Sequence, residues 1–83
     1  MTYYVYLIKC VSPGVKKSYV GYTNNLYLRL KKHNNNKGAK STKGHKWKII
    51  FKKKFISKSL AMSYEYFLKN DKKLRKKIYL NKF

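Results

Sequence analysis

Only two carboxylates, Glu65 and Asp71, stand against 22 Lys and Arg side chains in this 83-residue sequence, and both lie in the stretch AMSYEYFLKND at 61–71. Glu65 has Lys69 four residues on, the spacing of an exposed helical ion pair worth only ~0.3–0.5 kcal/mol. A chemical role is also open to it. A hard cation such as Mg²⁺ takes oxygen ligands and accepts one or two carboxylates completed by phosphate and water, the requirement of phosphodiester hydrolysis on a basic scaffold. Arg29 and His33 are likewise four apart, on one helix face. Two cationic groups stacked without a carboxylate between them suit an anionic ligand such as phosphate, or else a plain solvated face. Arg29 stands out where Lys is used nearly everywhere else, because its planar fork can contact phosphate bidentately.

Tyrosines supply the remaining candidates. In the run YYVYLIKC at 3–10, Tyr4, Tyr6 and Ile8 share one face of a strand, and in KSYVGY at 17–22 Tyr19 and Gly21 do. Tyr6 and Tyr19 can therefore project side by side, either as cross-strand packing or as a pair of phenols at a site. Gly21 inside a strand marks a close approach by ligand or backbone.

The elements that must position these groups can be read from periodicity. The first two runs, joined through Ser12, Pro13 and Gly14, read as an antiparallel hairpin. Thr23 or Asn24 is the expected cap of a helix reaching about Asn34, where NNNKG ends it. KGAKSTKGHK has neither period and reads as a basic loop. WKIIFKKKF at 47–55 is the third strand, with Trp47, Ile49 and Phe51 alternating before a register change near Ile50 or the Lys run. Ser57 caps a second helix with Leu60, Ala61, Tyr64, Phe67 and Leu68 as its apolar stripe. Asn70 or Asp71 caps a last helix carrying Leu74, Ile78 and Tyr79. The order β-β-α-β-α-α predicts a single α+β domain over 1–83, a small three-stranded, mostly antiparallel sheet flanked by helices.

A formal net charge of +20 with 43% apolar residues excludes a disordered tail and favours a nucleic-acid partner, although AT-rich codons account for part of the Lys excess. Cys10 is alone, so neither an intramolecular disulfide nor a Cys-based zinc finger is expected. With no apolar run near the ~20 residues of a membrane span and no signal-peptide pattern at MTYYVY, an intracellular, cytoplasmic protein is expected, with no membrane partner.

YVY at 4–6 followed by YVG at 19–21 resembles the paired signature of the GIY-YIG nucleases, with Tyr4 where the family usually has Gly. Arg29, His33 and Glu65 fall at the family's helix and glutamate positions. The similarity runs through GYTNNLYLRLKKHNNNKGAKST, KW and LAMSYE, and is greatest to small stand-alone bacterial proteins related to the nuclease domain of branched-DNA resolvases. The resemblance implies hydrolysis of a DNA phosphodiester with one divalent metal, Mg²⁺ or Mn²⁺, bound by Glu65. It implies catalytic roles for Tyr6, Tyr19, Arg29, His33 and Glu65. Tyr19 would activate water, Arg29 would stabilise the developing charge, and His33 would position a group or relay a proton.

Tyr4 replaces a residue that is backbone-structural in the family, so activity should survive. With no DNA-recognition domain after the nuclease module, shape-directed cleavage of branched, flapped or nicked DNA is expected, of the kind used in DNA repair and recombination. A separate protein partner for targeting would fit, since resolvase relatives often depend on a scaffold subunit. Lys37, Lys40, Lys43, Lys46 and Lys48 are the expected DNA-backbone contacts, with the run Lys52 to Lys54. Asp71 is read as a cap, His45 as exposed and Trp47 as core. The alternative is a non-catalytic basic nucleic-acid-binding module on the same scaffold. A component of an RNA–protein particle is a third reading, resting on charge and size.

Overall fold

The sheet is built around β1 (Tyr3–Cys10), which has β2 (Ser18–Thr23) on one side and β3 (Trp47–Phe55) on the other, so that the strand order is β2-β1-β3 and both pairings are antiparallel. The computed structural model from which this follows describes residues 2–80. β1 is rich in β-branched and aromatic residues and is buried on both faces: Val5 and Leu7 point one way, Tyr6, Ile8 and Cys10 the other. Helix α1 (Leu26–Asn34) covers the Tyr6 face with Leu26 and Leu30. Helices α2 (Lys58–Asn70) and α3 (Lys72–Leu80) cover the Val5 face through Ala61, Leu68 and Ile78. This is the α+β architecture expected, with one thin core on each side of the sheet.

The caps follow the chemistry of their side chains. Ser57 Oγ accepts from the Leu60 backbone N–H at the start of α2, and Asp71 Oδ1 accepts from that of Leu74 at the start of α3. At α1 the cap is Asn25, whose Oδ1 accepts from the Leu28 N–H at 3.0 Å, and not Thr23 or Asn24. Thr23 instead turns the chain just ahead of it, its hydroxyl accepting from the Asn25 N–H.

Two expected patterns are corrected by the packing. The register of β3 slips between its pairings to Ile8 and Leu7, leaving Ile50 as an extra residue. Ile49 therefore packs with Trp47 on the α1 side, whereas Ile50 and Phe51 both serve the α2 side, so Phe51 does not continue the Trp47 alternation. On α2, Leu60 and Phe67 are about half exposed, at 51% and 52%. The buried stripe is Ala61, Tyr64 and Leu68, because a narrow sheet accepts a narrower helix face than the sequence offers. No helix of the described residues is long and apolar enough to cross a membrane.

Candidate active site

The α1 face of the sheet gathers four of the five predicted site residues. Tyr6 faces Gly21 across the β1–β2 ladder and Tyr19 faces Ile8, one pleat further on, so the two phenols lean together with ring centroids 6.3 Å apart. Gly21 makes room for this: a Cβ there would stand 2.7 Å from Tyr6 Cζ and 3.1 Å from Tyr19 Cε2. Gly21→Ala is therefore expected to lower stability by ~1–3 kcal/mol through overpacking, as a shift in the urea midpoint at unchanged slope.

Arg29 and His33 do share one face of α1, but that face is not a solvated one. His33 is fully buried and its ring lies against both tyrosines, with centroids 5.8 Å from Tyr6 and 5.0 Å from Tyr19. Its Nδ1 is 2.9 Å from Thr42 Oγ1, its Nε2 is 2.9 Å from the Tyr6 hydroxyl, and Arg29 Nε donates to the same hydroxyl at 3.2 Å. Thr42 is also fully buried and spends its own proton on the Ala39 carbonyl at 2.8 Å. The direction of the whole chain follows. Thr42 must accept from His33 Nδ1–H, which leaves Nε2 as an acceptor, and Tyr6 must donate to it while accepting from Arg29.

Thr42 was not expected in this role. It lies in a short 3₁₀ turn (Lys40–Thr42) within the stretch read as basic loop, and only a buried His in need of an acceptor calls for it. That loop is well tied. The Asn34 side chain accepts from the Trp47 N–H and donates to the Trp47 carbonyl, Asn36 at φ 63° accepts from Gly44 N–H, and Trp47 Nε1 donates to the Thr42 carbonyl. A Cβ on Gly38 would press on the His33 ring, 2.9 Å from Cγ, so the loop packs directly over the histidine.

Electrostatics fix the protonation states. Burial, reinforced by the Arg29 guanidinium, pushes His33 down to about 4. Burial pushes the Tyr6 phenol up to about 12, against the pull of Arg29, with Tyr19 and Glu65 adding to the rise. Arg29 is raised first by its hydrogen bond to Tyr6, and the Tyr19 hydroxyl adds to this. At neutral pH the site thus holds a neutral imidazole, a protonated Tyr6 and a permanent Arg29 cation.

A His whose folded pKa lies below its unfolded value contributes stability that is complete above about 6.5 and lost as pH falls toward 4, because the unfolded chain takes up a proton that the folded one refuses. The loss is on the order of 3 kcal/mol across that window. Urea unfolding at pH 7.5 and pH 4.5 should show it in the wild type and show little of it in His33→Gln.

Glu65 approaches from α2. It is half-buried, its side chain 20% exposed, and it pairs with the more exposed Lys69 at 3.5 Å. Among the causes that raise the Tyr6 phenol its charge is the smallest. No group of three or more His, Cys, Asp or Glu lies together among the described residues. An all-protein metal cage is thereby absent from them, and a hard cation held here by a single carboxylate would need other oxygens, such as water or phosphate, to complete its shell.

Tyr4 sits in the regular ladder between Thr23 and Lys54, and the one non-glycine residue at positive φ among those described is Asn36. The backbone at Tyr4 therefore makes no demand for Gly. Lys37, Lys40 and Lys43 are exposed on the loop that packs over His33. Lys46 is exposed but its ammonium donates to the Asn34 carbonyl at 3.0 Å, and Lys48, paired with Lys9, points to the opposite face of the sheet. The five lysines thus do not form one surface, because strand alternation separates Lys48 from the loop. His45 is half-buried with its ring edge-on to Trp47 at 6.1 Å, contrary to the expectation of an exposed residue, and Trp47 is core.

Residues 2–78 match the family model of the GIY-YIG catalytic domain. The UPF0213 protein OB0043 of Oceanobacillus iheyensis is 46% identical over 68 residues, covering 81% of this chain and 76% of its own. The UPF0213 protein YazA of Bacillus subtilis is 38% identical over 79 residues, 94% of this chain and 77% of its own. The solution NMR structure of the UPF0213 protein BH0048 from Bacillus halodurans superposes with a TM-score of 0.53 at 36% identity, covering 93% of this chain and 80% of that one.

Proposed function

The chain belongs to the GIY-YIG family, a family of nucleases, and from that membership we propose that it is a metal-dependent DNA endonuclease directed by DNA shape to branched, flapped or nicked substrates. The observation that carries the reading is the hydrogen-bonded cluster of Tyr6, Arg29 and His33 beside Tyr19; among the described residues Glu65 is the one carboxylate not spent on a helix cap. A structural ion pair alone would not require an arginine fixed by a buried phenol.

In this mechanism Glu65 holds the divalent metal, which when bound supplies Lewis-acid polarisation of a phosphoryl oxygen. Arg29 does the positional work on the phosphate. Its Nε is committed to Tyr6 and it also meets the Tyr19 hydroxyl, so the guanidinium keeps one orientation in which its terminal N–H groups would face the oxygens on which charge develops. Tyr6 is a poor base, since its proton is given to His33 and its acidity is suppressed by burial. Activating the attacking water therefore falls to Tyr19, which is half-buried and not held by His33. His33 acts as a neutral positioning residue, relaying the grip of Thr42 to Tyr6 and onward to Arg29. The loop lysines Lys37, Lys40 and Lys43 add backbone affinity through counterion release. A protein partner that delivers the enzyme to its substrate belongs to the same proposal.

The test is a panel of end-labelled DNAs, flap, fork, nicked duplex and plain duplex, incubated with excess protein and Mg²⁺ or Mn²⁺. Faster scission of the branched and nicked forms, at one position relative to the discontinuity, supports direction by shape. Equal rates on all four would overturn that part of the reading.

A further inference from the structure

The chain uses arginine only twice among its 22 basic side chains, once at Arg29 and once at Arg75. Arg75 lines a groove of about 250 Å³ on the side of the sheet away from Tyr6, between the end of the β1–β2 hairpin and α3. Lys16 and Lys17 form one wall, Lys72, Arg75 and Lys76 the other, with Tyr79 beside them. Among the described residues no carboxylate lines it. Asp71 lies nearby in sequence, but its Oδ1 is taken by the Leu74 N–H.

Two further features of this face bear on an anion. The first is Arg75 Nε, the one buried side-chain nitrogen or oxygen among the described residues that has no hydrogen-bond partner. An orphaned donor of this kind carries a penalty of ~1–3 kcal/mol, and more when charged, unless something accepts from it. The second is the ladder. Ser18, Lys9 and Lys48 lie side by side across the three strands on this face, so two like-charged residues are directly opposed in the ladder, an unfavourable pairing. The Lys9 ammonium lies over the Tyr79 ring, 4.5 Å from its centroid, beside the groove that Tyr79 lines.

We propose that this groove is a second phosphate site, in which Arg75, its Nε buried, takes a backbone phosphodiester of DNA through its terminal nitrogens while the flanking lysines neutralise the adjoining phosphates. Ser18 and Tyr19 are consecutive residues on opposite faces of β2, so this phosphate and the one beside Arg29 lie on opposite sides of the sheet. The groove engages a segment of the substrate separate from the one presented to Tyr19. Only the identity of the anion as DNA rests on the function proposed above; the site itself does not depend on cleavage.

The experiment is an NMR titration of the wild type in EDTA with a short plain duplex and, separately, with inorganic phosphate, following the Nε–H resonances of Arg29 and Arg75. Saturable movement of the Arg75 resonance with duplex is expected, with inorganic phosphate far weaker. A fixed Arg75 signal at duplex saturation would overturn the proposal, and movement by inorganic phosphate at the same concentrations would overturn the assignment to DNA. In anisotropy titrations, Arg75→Gln should reduce the slope of log K against log salt by about 0.9, and Arg75→Lys should weaken binding roughly tenfold although charge is kept. Lys58→Gln, an equal charge loss at the other end of the sheet, should do neither. An effect equal to that of Arg75→Gln would reduce the groove to general charge. Because the readout is binding, a protein that never cuts DNA leaves this test intact.

Discussion

Glu65→Gln is expected to bind DNA as tightly as the wild type and to cut it at least roughly 10³-fold more slowly. The amide keeps the volume of the side chain but removes the anionic ligand a hard cation requires. Little else changes: the pair with Lys69 is a 3.5 Å contact to an exposed ammonium, so the fold should lose no more than ~0.5 kcal/mol. Removing a negative charge from a chain of net +20 can only favour a polyanion. Anisotropy in EDTA measures the first quantity and single-turnover cleavage the second. Equal cleavage by variant and wild type would remove Glu65 from the site.

The second large effect is expected at Arg29. Arg29→Lys preserves the charge, yet an ammonium cannot hold the Tyr6 hydroxyl and present a fork to phosphate at the same time. A rate loss of about 10²–10³ is the usual consequence of removing one preorganised donor. Duplex affinity in EDTA should fall severalfold at most, since many other cations remain. Tyr6→Phe should give a smaller rate loss, because it frees the guanidinium without removing it. A variant at Arg29 with unchanged single-turnover rate would assign the residue to packing.

Much of this arrangement is legible in the residues themselves. β1 and β3 begin and end where their β-branched and aromatic runs do, and Ser57 and Asp71 cap the helices they were expected to cap. The register change near Ile50 is present, and it is also why Phe51 changes face. Spacing placed Arg29 and His33 together but carried no sign of which side of α1 faces the sheet. Burial of His33 depends on contacts from β1 and from the loop after the helix. Thr42 is illegible for the same reason: one hydroxyl in a run of Lys, Gly and Ser acquires meaning only when the turn folds onto the imidazole. Arg75 gave no signal beyond its rarity, because its orphaned Nε arises from the docking of α3. Local pattern sets elements and caps, whereas the partners of buried polar groups are fixed by elements distant in the chain.

The most direct test of the central claim is single-turnover scission of a labelled nicked or flapped duplex, saturated with wild-type protein, in Mg²⁺, in Mn²⁺ and in EDTA. The account predicts cutting that requires metal and stops with EDTA. An intact strand under every metal, with the DNA fully bound, would contradict it and leave a basic nucleic-acid-binding module on a nuclease scaffold.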